Sequence, residues 1–144
     1  MSNLAIGNEA EKDVSSIFRE KGFWCHVFAR GNNGSQPVDL VAIRGKDNKN
    51  EVYLADVKHV RTKEVSFDFK RIEPNQWSTL GFAYNFAHID PKGLGFIVQF
   101  DRTGEFYWLP YLKALYLTEI GSKSVNLNVL EKFERVLDDN ENNI

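Results

Sequence analysis

The sequence predicts an α/β protein built on one central mixed sheet of five strands flanked by helices. Three observations lead there. The chain opens with a segment of helical period, and three short apolar runs of strand length follow. Two more such runs come later, separated by a helix-length stretch and closed by others. At 144 residues, 42% hydrophobic and 26% charged, the composition is that of one ordinary globular domain. That domain is placed at residues 1–137, with a frayed acidic tail at 138–144.

The first helix, residues 5–21, sets Ala10, Val14, Ile17 and Phe18 at helical spacing and stops at Lys21-Gly22. Residues 23–29 read as a strand. The run Gly31-Asn32-Asn33-Gly34-Ser35-Gln36-Pro37 is too polar and glycine-rich for regular structure, so it is a loop. Residues 38–44 form a second strand, 45–50 a charged turn and 51–60 a third strand. The unbroken Val52-Tyr53-Leu54-Ala55 marks that third strand as covered on both faces. Residues 61–72 alternate Val65, Phe67 and Phe69 and read as an extended segment crossing an edge. Pro74 starts a helix over 75–85. Strands are expected at 93–100 and 105–109, and helices at 111–117 and 128–137.

Several classes are excluded. No leader peptide and no apolar run near the ~20 residues of a membrane span is visible, so a cytoplasmic protein is expected. The single Cys25 rules out an internal disulfide and a cysteine zinc cage, and reads as a small buried hydrophobe. His26 reads as a core residue, His88 has no evident partner, and no histidine pair has metal-ligand spacing. No phosphate-binding glycine loop is present, so no nucleotide cofactor is expected. Phe82, Tyr84, Phe86, Tyr107 and Trp108 read as core or interface rather than base-stacking residues. The net charge is −2, but residues 30–71 carry nine Lys/Arg against six Asp/Glu, and residues 131–144 two against five. A basic stretch of this kind suits phosphate.

The chemistry converges on one place. Asp39 opens the second strand, and Asp56 and Lys58, two apart, share one face at the end of the third. If a short turn makes these strands an antiparallel hairpin, the start of one lies beside the end of the other. Two close carboxylates call for a cation, and a hard divalent ion such as Mg²⁺ fits oxygen ligands. The Val57 carbonyl offers a further ligand there, and Lys58 a charge for the attacking water.

Pro37-Val38-Asp39 followed by Asp56-Val57-Lys58 resembles the PD-(D/E)XK signature of restriction-endonuclease-like nucleases. Within that superfamily the chain looks most like Holliday-junction resolvases of the Hjc and RecU kind, over roughly residues 6–112. The resemblance implies an αβββαβ core and a Mg²⁺-dependent endonuclease, with Mn²⁺ substituting, that leaves a 5′-phosphate. Its substrate would be four-way or other branched DNA, and its working form a homodimer making symmetric nicks.

Gly7-Asn8-Glu9-Ala10-Glu11 matches the family's first-helix spacing and nominates Glu11 as the third acidic ligand, with Glu9 on a different helix face as the alternative. Glu20-Lys21-Gly22-Phe23 matches the usual exit from that helix. Gln76 matches a glutamine that follows the catalytic core in both resolvase groups. The resemblance and the basic stretch nominate Arg30, Asn33, Ser35, His59, Arg61, Lys63 and Arg71 for DNA contact. Asp56 departs from the commoner Glu. The chain looks too short for the extra helical stalk of cellular RecU, which favours a compact or phage-borne form in a bacterial or archaeal setting. A sequence-specific restriction-like or homing endonuclease, and a catalytically silent DNA-binding protein of the same fold, are the two rival readings.

Overall fold

The computed structural model describes residues 3–29, 37–61 and 63–142, apart from the side chains of 3–7 and 139–142. Helix α1 spans Asn3–Glu20 and turns Ala10, Glu11, Val14, Ser15 and Phe18 inward, as the helical spacing requires. Gly22, at φ 89°, takes the left-handed turn that ends it. Strands β1 (Trp24–Val27), β2 (Leu40–Lys46) and β3 (Lys49–Val60) pair antiparallel in that order.

The β2–β3 turn is only Asp47-Asn48, both at positive φ (52° and 64°), the conformation a two-residue hairpin needs. Strand β4 (Ser66–Asp68) and a 3₁₀ turn at Phe69–Arg71 lead to α2 (Pro74–Asn85), and a second 3₁₀ turn, Pro91–Gly93, leads to β5 (Leu94–Phe100). There β5 lies parallel to β3. Gly93 is required by close approach, because a Cβ there would collide with the Val52 carbonyl. Then come β6 (Phe106–Pro110), α3 (Tyr111–Glu119), β7 (Ser124–Asn126), β8 (Glu131–Lys132) and α4 (Phe133–Asn142).

The main sheet has six strands, in the order β1-β2-β3-β5-β6-β8, one more than expected. The addition is β8, which pairs with β6 through Tyr107↔Lys132 and Trp108↔Glu131. Two residues carry no readable period, so this edge strand was absorbed into a predicted helix that in fact starts at Phe133. That helix also runs through the 137/138 boundary to Asn142. The expected extended segment at 61–72 does not join the main sheet. Its β4 pairs with β7 in a separate two-stranded ribbon, which buries Phe67 and Phe69.

Each face of the main sheet carries its own core. One, with Phe18, Cys25, Ala42, Tyr53, Ala55 and Phe133, lies under α1 and α4. The other, with Leu80, Phe96, Val98, Leu109 and Ala114, lies under α2, α3 and the ribbon. Among the described residues no helix is long and apolar enough to cross a membrane.

Candidate active site

The hairpin register places the central pair. Leu40 stands opposite Ala55, and both enter the core under α1. The next positions, Asp39 and Asp56, therefore turn to the other face. The Asp39 N–H donates to the Ala55 carbonyl at 3.1 Å, and the Val57 N–H donates to Asp39 Oδ2 at 2.7 Å. Asp39 thus lies beside Asp56, as the antiparallel reading required.

Asp56 is buried, at 2% exposure, between β2 and β5. Lys58 Nζ lies 2.8 Å from its Oδ2, and Gln76 Nε2 donates to the same oxygen at 2.9 Å. Gln76 Oε1 accepts from Lys58 Nζ at 3.1 Å and from the Glu73 N–H at 2.9 Å. Its place follows from local structure. Pro74 opens α2, and Gln76, in its first turn, reaches back to the donor just ahead of the helix. One amide therefore holds both Asp56 and Lys58.

Burial, and then the neighbouring Asp39 carboxyl, push the Asp56 pKa up to about 8; Lys58 pulls the other way. A carboxyl in this state fits a hard divalent cation, which favours the ionised form that burial penalises. The donors on hand, two aspartates and the Val57 carbonyl, are all oxygen. Glu11 is buried, as its helix face implied, but α1 covers the opposite face of the sheet. Among the described residues no three His, Cys, Asp or Glu side chains are gathered to hold a metal ion. The structure brings Asp39, Asp56, Lys58 and Gln76 together and does not gather Glu11 with the two aspartates. Glu9 is exposed.

The expected DNA contacts divide. Arg30, Asn33 and Ser35 lie outside the described residues. Arg61 and Lys63 are exposed just past Lys58. The His59 ring approaches Asp101, with Nε2 2.5 Å from Oδ1. Arg71 donates to the His59 carbonyl at 2.6 Å and lies over the Phe67 ring.

Cys25 is buried, and burial raises its thiol pKa, in keeping with a small hydrophobe. His26, expected in the core, is exposed instead, because β1 is an edge strand covered only on the Cys25 side. Tyr107 and Trp108 are buried as expected, whereas Phe82 and Phe86 are exposed and stack on each other. Two residues escaped the sequence reading: Glu73, whose backbone anchors Gln76, and Asp101, which engages His59. Glu73 carries a local signal, the capping-box spacing to Gln76 three residues on, whereas Asp101 carries none, because its partner is distant in sequence.

No family model matches this chain, and no curated protein does. Among solved structures it is similar to Hjc of Archaeoglobus fulgidus, described as a Holliday junction resolvase from an archaeal hyperthermophile. The TM-score is 0.58 over 92% of this chain and 95% of that one, at 16% identity. The two share a fold. In both, helices flank a central sheet, and in this chain that sheet is mostly antiparallel.

Proposed function

We propose that this chain is a divalent-metal-dependent DNA endonuclease. Its substrate would be a four-way junction, nicked at two symmetric positions by a homodimer. One observation carries the reading. A buried aspartate is bonded to both a lysine and a glutamine, beside a second aspartate, on a fold shared with a resolvase. A structural protein has little use for so costly a cluster.

In this reading Asp39, Asp56 and the Val57 carbonyl would hold Mg²⁺ or Mn²⁺. The cation, when bound, supplies charge to phosphate oxygens and acidity to water. The chain's own residues do the rest. Lys58 sets a positive charge beside the carboxyls, where an attacking water and the phosphate meet. Gln76 keeps Lys58 and Asp56 in register, and the Val57 N–H orients Asp39. In-line hydrolysis then leaves a 5′-phosphate.

The test is incubation with Mg²⁺ of a labelled four-way junction or a linear duplex of matching sequence. Paired symmetric nicks in the junction alone, absent in Asp56→Asn, are expected. Cutting of linear duplex at a fixed sequence would replace the resolvase reading with a restriction-like one. Binding without cleavage in any divalent metal would overturn the enzyme.

A further inference from the structure

The sheet face that carries Asp39 and Asp56 has an uncovered part. In β1, Cys25 and its cross-strand partner Ala42 enter the core under α1, so Trp24, His26 and, one residue past the strand, Phe28 alternate to the other face. That is the face of the two aspartates. Helix α2 packs over β5 there, but nothing among the described residues covers the outer strand, and Trp24 remains 60% exposed.

The three rings form a row. The Trp24 and His26 planes are within 8° of parallel with centroids 6.1 Å apart, and Phe28 meets His26 edge-on at 5.2 Å. The row ends at the site, because the Phe28 N–H donates to the Asp39 carbonyl at 2.8 Å.

We propose that Trp24, His26 and Phe28 are a stacking platform for unpaired nucleobases, leading a DNA strand to the Asp39–Asp56 site. The proposal rests on the nuclease reading and narrows it to DNA whose bases are unpaired beside the scissile phosphate, as at an opened branch point. Flat exposed rings bind any base face without sequence preference. The charge is also suitable for a polyanion. On this face Trp24, His26, Phe28, Val41 and Ile43 bring no acidic side chain to the row short of Asp39 at the site itself, and Arg61 and Lys63 lie exposed beyond the end of β3. A second copy of the chain is the competing occupant. Seated on this row, it would also cover the approach to Asp39, so an active nuclease needs the row open.

The test is binding in EDTA to oligo(dT), to a four-way junction and to linear duplex, with sedimentation of each protein alone. Base stacking on Trp24 predicts that oligo(dT) quenches tryptophan fluorescence in the wild type. Trp24→Ala should lose that quenching and bind oligo(dT) about five- to a hundredfold more weakly. Duplex affinity should change less than about twofold, Trp24→Phe should restore most oligo(dT) binding, and sedimentation should be unchanged. Unaltered oligo(dT) affinity in Trp24→Ala, in a protein whose wild type still nicks junctions, overturns the platform and leaves the nuclease standing. Unaltered affinity with altered sedimentation assigns the row to a copy–copy contact and overturns it too. A wild type that neither binds nor cuts DNA removes both.

Discussion

Replacing Asp56 with Asn keeps the side-chain shape and removes the one carboxyl that burial and Asp39 hold at a pKa of about 8. The ordinary value is 3.8. Below it, both the folded and the unfolded chain keep the proton. Between roughly pH 4 and pH 8 the folded protein still holds a proton that the unfolded chain has released, so stability falls as pH rises. The slope is up to ~1.4 kcal/mol per pH unit, and the full window amounts to on the order of 5 kcal/mol. Asn does not titrate, so the variant lacks this decline.

Urea unfolding in EDTA, at several values from about pH 5 to about pH 9, measures the difference directly. The variant should gain on the wild type steadily across that range. Adding Mg²⁺ should stabilise the wild type more at the alkaline end and leave the variant nearly unmoved, because a cation binds the ionised form. Parallel curves for the two proteins would refute the argument that burial and Asp39 hold Asp56 protonated.

Three further outcomes follow from named contacts. Lys58→Met should cut the cleavage rate at least about a hundredfold, the scale of losing a charge aimed at the reacting phosphate; single-turnover rates on a junction, with affinity measured separately in Ca²⁺, would check it. Arg44→Met should cost about 2–4 kcal/mol in urea unfolding. The buried guanidinium pairs with Glu51 at 2.9 Å, donates to the Lys21 carbonyl at 2.8 Å and lies 4.2 Å over Phe23. Gly93→Ala should lower Tm by well over ten degrees or prevent folding, read by thermal scanning, since its methyl would meet the Val52 carbonyl where the backbone has little room to move.

The hairpin was legible in the sequence because two apolar runs bracket a charged turn, and antiparallel geometry then forces Asp39 beside Asp56. Gln76 followed from a resemblance, but its bond to Asp56 depends on how α2 sits over the sheet, which no local pattern states. Glu11 shows the same limit. Helical spacing says that it faces inward, yet not which face of the sheet its helix covers. His26 was misplaced for a related reason. A strand's alternation separates two faces without telling which of them another element covers, and an edge strand has an open one. Strand β8 escaped because two residues hold no period, and only pairing with β6 makes them a strand.

The two ends of the main sheet differ in a way that bears on solution behaviour. At one end β8 is two residues long, with Glu131 and Lys132 exposed and Lys132 bridged to Glu105 at 3.2 Å. So short and charged a margin offers almost no template for another chain's backbone. At the other end β1, four residues long, is paired on one side only among the described residues, beside the exposed Trp24. Ordered aggregation at high concentration would therefore start from β1, and a lysine introduced there should protect the protein where the same change at β8 gains nothing.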